Sequence, residues 1–306
     1  MTMLRRFIWG KVGVRAVWVV AACVGLIVLG EVLVVDPFGS VLEKAGLRAF
    51  SGDSPDGWSS AVGSVLKRMA RVAVVLGGVY LVLRLLEKTS LSSLGLGPVR
   101  HQPRLALYGI GLGFLVQMVS VLLASVFGWY EVVGLSWEHA SASLVGAAAF
   151  YAFFYSVETA VVEEVLFRGL LLQVVGRRAG MAAGIALSSI VFGLAHFPGL
   201  GSDFPWWMSL LSATAAGLVL AQAYVLHGSL WVPMGIHFGW HMGARLLGSV
   251  GVAPGEALLL VTDVDGPALL VSSRAGGAAA FELVGVALVS LILWKYRDSL
   301  HTGRRR

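Results

Sequence analysis

Three short stretches place residues able to do chemistry inside an otherwise apolar chain. "VVEEVLFRGL" (161–170) brings Glu163, Glu164 and Arg168 directly after the apolar run "SLVGAAAFYAFFYSV". "FGLAHF" carries Phe192 and His196, and "PMGIHFGWHM" carries His237 and His241. Neighbours on a helix point about 100° apart, so the two glutamates cannot do the same job. Glu164 and Arg168, spaced i, i+4, can pair on one stripe and leave Glu163 free. Phe192 and His196 share a helical face. Two imidazoles at i, i+4 suit either a metal ion or two donors aimed at one oxygen. Each set alone has a plain structural alternative: the charged end of a helix, an interfacial histidine, accidental interior histidines. Together they supply one carboxylate and three imidazoles, an assembly that can activate water. The carboxylate removes a proton, a histidine positions the water, and the other imidazoles stabilise an oxyanion. The reaction class is hydrolysis.

These residues need elements to hold them, and composition says which kind. Of 306 residues, 57% are hydrophobic and 13% charged, against about 25% charged in a soluble domain. With mean hydropathy +0.82, the chain reads as an all-α, polytopic membrane bundle forming a single integral membrane domain, 1–306. Stretches of about 20 apolar residues give eight expected spans: 14–35, 68–86, 105–127, 142–166, 181–198, 206–226, 229–249 and 277–295. The fourth is expected to run on as an amphipathic helix to about 176. Residues 256–273, two apolar runs around an Asp-Gly turn, read as a short β-hairpin. Basic residues at both chain ends and in the links 84–104 and 168–178 place the N- and C-termini in the cytoplasm. Lys67, Arg68 and Arg71 do not fit that alternation, because they fall on the outer side of the second span. Glu31, Glu158, Gln117, Gln222 and Arg84 are further polar residues within apolar segments, and such residues face a bundle interior. They are expected to line a cavity or pair between helices, without a catalytic role.

The net charge of +6 sits where anionic lipid would meet it, not in an aromatic-interleaved patch for nucleic acid. The lone cysteine, Cys23, excludes an intrachain disulfide and a cysteine metal site. It reads as a small residue inside the first span rather than a processing site.

In order and on successive apolar helices, Glu163-Glu164-x-x-x-Arg168, Phe192-x-x-x-His196 and His237-x-x-x-His241 resemble the three motifs of the CAAX protease and bacteriocin-processing family. "LGLG" at 94–97 is also similar to that family, and the likeness spans about 90–250, the expected catalytic core. The resemblance implies an intramembrane endopeptidase with an eight-helix core and a water-accessible cavity within the bilayer. Glu163 would be the general base, assisted by His196, with His237 helping to form the oxyanion site. Glu164 and Arg168 would fix the helix around the site, supported by Phe192. Position 241, usually asparagine in the family, is His241 here. A neutral His241 can still donate a hydrogen bond, but the change also completes a zinc-binding set of Glu163, His196, His237 and His241. A metal-free glutamate mechanism is expected, with no cofactor; the zinc enzyme is the alternative.

The implied partners are a membrane-associated peptide or protein substrate and the lipid bilayer, with no nucleic acid. The expected location is a bacterial cytoplasmic (inner) membrane. Two readings compete: a non-catalytic immunity factor or scaffold, and a proton-coupled transporter. The intact Glu163 and His196 weigh against the first, and the absence of an internal repeat against the second. Prenylated CAAX proteins, bacteriocin leaders and sorting-type C-terminal signals are not distinguished by any residue.

Overall fold

A computed structural model describes residues 36–47, 55–97, 102–196, 206–248, 257–267 and 280–296, with scattered positions between 21 and 32. Helix α1 is Asp36–Lys44, and α2, Trp58–Val82, runs into a π-helical turn at Leu83–Glu87. After a 3-10 turn at Leu91–Leu94, α3 occupies Gln102–Val126. Strand β1 (Tyr130–Leu135) and the one-turn helix α4 (Ser136–His139) lead into α5 (Ala142–Glu164). Its first turn is capped by Ser141, whose hydroxyl accepts from the Leu144 amide at 3.2 Å, which satisfies a backbone donor the helix cannot. The chain continues through a π-helical segment, Val165–Leu172, into α6 (Gln173–Ala179). Gly180, at φ 94°, ends that run in a conformation L side chains rarely adopt. Helices α7 (Met181–Ala195), α8 (Trp206–His227) and α9 (Trp231–Leu247), strand β2 (Leu260–Val264) and helix α10 (Ala280–Lys295) complete the described elements.

Glycine decides how closely the central helices approach. A Cβ at Gly109 would meet the Val232 carbonyl, and one at Gly113 the Ile236 carbonyl. From the other side, a Cβ at Gly235 would meet the Ala106 carbonyl and one at Gly239 the Ile110 carbonyl. The contacts advance in the same direction along both chains, so α3 and α9 run parallel, backbone against backbone. This is the small-residue packing that van der Waals attraction favours within lipid, and it fixes the helix that carries His237 and His241. Gly113→Val is therefore expected to destabilise the protein by about 1–3 kcal/mol through overpacking, and to lower activity with it. Gly111→Val, where a Cβ meets nothing within 4 Å, is the control. Thermal melting in detergent should separate the two; equal melting temperatures would remove the packing argument.

Because α3 and α9 end on the same side, the strands that follow them meet there. β1 and β2 form a two-stranded antiparallel sheet, pairing Tyr130 with Val264 and Leu135 with Leu260, with a register shift between Val132 and Gly134. The expected hairpin within 256–273 is thus corrected. Its first half is a strand, but the partner is residues 130–135. A strand needs an edge to add to, and the parallel helices bring 130–135 and 260–264 to one end of the bundle. The second half lies outside the described residues.

Seven of the eight expected spans recur as helices, the second beginning ten residues earlier than expected, and the fourth does run on, to Ala179. Their number as spans is corrected. Among the described residues three helices are long and apolar enough to cross a membrane: Pro103–Val126, Ala142–Ala179 and Trp206–His227. Met181–Ala195 is apolar but shorter; at 1.5 Å per residue it extends about 22 Å, less than the roughly 30 Å hydrocarbon core. α9 and α10 are similarly short, and α2 carries Lys67, Arg68 and Arg71 around its middle. The first expected span, with Cys23 and Glu31, lies largely outside the described residues, as do both chain ends.

Candidate active site

The site is assembled from the end of α5, the π-helical segment after it, the end of α7 and the middle of α9. Glu164 and Arg168 are both fully buried, joined by a 2.9 Å ion pair. The second guanidinium nitrogen donates to the Gly217 carbonyl on α8 at 3.1 Å. Phe192, 3% exposed, lies under the guanidinium, whose carbon is 4.3 Å from the ring centre. Phe192 also meets Phe167 edge-on at 5.2 Å and His196 at 4.4 Å. Burying a guanidinium is tolerable only with such partners, because an unpaired buried charge costs several kcal/mol.

Glu164 Oε1 accepts a second bond, from His237 Nδ1 at 3.0 Å. His237 therefore turns its Nε2 toward Glu163, 3.8 Å from Oε2. His196, where α7 leaves helical geometry, donates from Nδ1 to the Phe192 carbonyl at 2.8 Å. That bond likewise turns its Nε2 toward Glu163 Oε2, at 3.7 Å. Two imidazoles thus face one carboxylate oxygen, and that oxygen has no protein hydrogen-bond partner among the described residues. Glu163 keeps 21% side-chain exposure and His196 32%, whereas Glu164 and Arg168 have none. The two adjacent glutamates therefore have different environments: one is locked and the other is open.

His241 lies a turn further along α9, its ring stacked on His237 with centres 5.0 Å apart. It also meets Tyr155 edge-on at 5.4 Å. Among the described residues no group of three or more His, Cys, Asp or Glu side chains is placed to hold a metal ion.

Glu158, Gln117 and Gln222 pair between helices. Glu158, buried in α5, receives Arg68 at 2.9 Å and Arg71 at 2.8 Å from α2. Gln117 donates to Glu282 at 2.8 Å. Gln222 donates to the Ser290 carbonyl at 3.1 Å and accepts from its hydroxyl at 2.6 Å. Arg84 lies 5.5 Å from the Tyr80 ring. Glu31 lies outside the described residues. Tyr155 and Arg245 carry no signal in the sequence, and Arg68 only that of a misplaced cation, yet Tyr155 meets His241 and both arginines lie over the Tyr155 ring. A signal for Arg68 was available: a basic residue on the wrong side of a span needs a buried acid, and Glu158 stood unpartnered in the sequence.

The fold and site together define a membrane-embedded hydrolase centred on a carboxylate and two imidazoles. Residues 145–243, roughly a third of the chain, match the family model described as type II CAAX prenyl endopeptidase Rce1-like. The match covers all three motifs, so this part of the chain is similar to that family, and with two imidazoles facing Glu163 it supports an intramembrane endopeptidase of the glutamate and histidine type. No curated protein and no solved structure matches the chain.

Proposed function

We propose that Glu163 is the general base of a metal-free peptide hydrolysis. The observation that carries this is the unpartnered Glu163 oxygen between the Nε2 atoms of His196 and His237. With Nδ1–H given to the Phe192 carbonyl, neutral His196 offers a lone pair at Nε2. A water there would donate one hydrogen to Glu163 and the other to His196, which leaves its oxygen lone pair aimed at a carbonyl carbon. As the C–O bond forms, Glu163 takes the proton and the carbonyl electrons move to oxygen. The oxyanion accepts from His237 Nε2–H and from His241, and Glu163 then passes its proton to the leaving nitrogen as the C–N bond breaks. Glu164, Arg168 and Phe192 position these groups without touching substrate.

In this reading residues 1–306 form one integral membrane domain, with 90–250 as its catalytic core. The bundle sits in a bacterial cytoplasmic membrane, with both termini inside. The substrate class is a prenylated protein ending in a CAAX sequence, supported by the description of the matching family model. If His241 is an oxyanion donor, His241→Asn should keep cleavage of a prenylated CAAX peptide within about threefold. His241→Ala should lose about 10²- to 10³-fold in kcat. Steady-state kinetics in detergent measure both, and equal losses in the two variants would remove His241 from the oxyanion site.

A further inference from the structure

Ser188 lies on α7 about two turns before His196, and its hydroxyl donates to the Phe167 carbonyl at 2.9 Å. Both residues are buried, and the bond crosses from α7 to the π-helical segment that follows the two glutamates. A carbonyl has two lone pairs and a helix ladder uses one, so the other is open to a donor from outside. Ser188, Phe192 and His196 are spaced i, i+4, i+8 and form one stripe along α7. Each touches the helix that carries Glu163. Phe192 meets Phe167 edge-on and lies under the Arg168 guanidinium, and His196 turns its Nε2 to Glu163. The contacts run in opposite directions along the two chains, so α7 is antiparallel to that helix. Nearer its start, a Cβ at Gly184 would lie 2.6 Å from the Leu172 carbonyl, so the two backbones are close there. Apolar packing is non-directional and opposes sliding of one helix along the other only weakly. A hydrogen bond to one carbonyl opposes it directly. His196 is where this matters, because its Nδ1 bonds the Phe192 carbonyl of its own helix. The 3.7 Å from its Nε2 to Glu163 therefore follows from where α7 sits.

We propose that Ser188 is a positioning residue for the hydrolysis: its bond to the Phe167 carbonyl fixes α7 along the catalytic helix and so holds His196 at its distance from Glu163. The proposal rests on the endopeptidase reading. Ser188 is about 12 Å along α7 from His196, too far to touch the reacting water, so it acts through His196. The next residue supplies the contrast. Ser189 is equally buried, but its hydroxyl has no hydrogen-bond partner among the described residues, and it packs at Gly217 of α8. Two adjacent serines of equal burial thus differ in one bond.

The test compares Ser188→Ala, Ser188→Cys and Ser189→Ala in the full-length protein in detergent. Cleavage of a prenylated CAAX peptide is read as kcat and KM. The His196 ring is followed by its carbon-13 resonance, assigned by its loss in His196→Gln. Ser188→Ala is expected to lower kcat about 10- to 100-fold with KM within about twofold, as a misplacement of about 1 Å does, and to shift the His196 resonance. Ser188→Cys, a weaker donor of similar size, should recover part of both. Ser189→Ala removes no hydrogen bond and should leave kcat within about twofold and the resonance in place. Wild-type kcat in Ser188→Ala, an equal loss in Ser189→Ala, or a lowered kcat with the His196 resonance unmoved would overturn the proposal. Should Ser188→Ala fail to insert, the same readings on Ser188→Cys decide, and wild-type kcat or an unmoved resonance there overturns it. The endopeptidase reading fails separately, if the wild-type protein cuts no peptide; the resonance comparison does not depend on cleavage.

Discussion

Glu163→Gln is expected to reduce cleavage by at least about 10³-fold while leaving membrane insertion and melting temperature unchanged. General-base catalysis typically supplies 10² to 10⁴, and among the described residues no other carboxylate is placed to replace it, because Glu164 is held by Arg168 and His237. The amide keeps the shape of the side chain and removes only its basicity. Glu163 makes no protein hydrogen bond through Oε2, so little structure is lost with it. Steady-state kinetics should show the loss in kcat rather than KM, since the proton moves only in the transition state. Residual cleavage above about a tenth of wild type would move the base elsewhere.

Arg168→Met should have the largest effect on stability. The guanidinium is fully buried and its partner Glu164 equally so. Removing it leaves a carboxylate without its neutralising charge, at a cost of about 3–5 kcal/mol. The double change Arg168→Met with Glu164→Gln should recover most of that stability, because two apolar or neutral groups no longer strand a charge. It should not recover activity, since His237 would lose the carboxylate that orients its ring. Thermal unfolding in detergent, read alongside kinetics, checks both halves. A double variant as unstable as Arg168→Met alone would mean that the residue matters for its packing on Phe192, not for its charge.

Much of this architecture was legible in the sequence because lipid permits few solutions. Apolar runs of the right length had to be helices, and the charged residues within them had to meet partners inside the bundle. Glu164 and Arg168 could be paired by spacing alone, which left Glu163 as the chemical group. What spacing could not supply was anything that depends on distant contacts. The strand at 260–264 looked like half of a local hairpin, yet it pairs with 130–135, because parallel packing of α3 and α9 carries both segments to one end. The π-helical stretch at Val165–Leu172 leaves no mark in a pattern read at 3.6 residues per turn. Arg68 and Arg71 looked like errors of topology until Glu158 was found between them.

The central claim is that Glu163 activates water to cut a membrane-associated substrate. Its most direct test compares protein termini, by mass spectrometry, in membranes from a host lacking the gene and complemented with either wild type or Glu163→Gln. The two proteins must be present at equal levels. The account predicts new termini with wild type and none of them with Glu163→Gln. The same new termini appearing with both would contradict it.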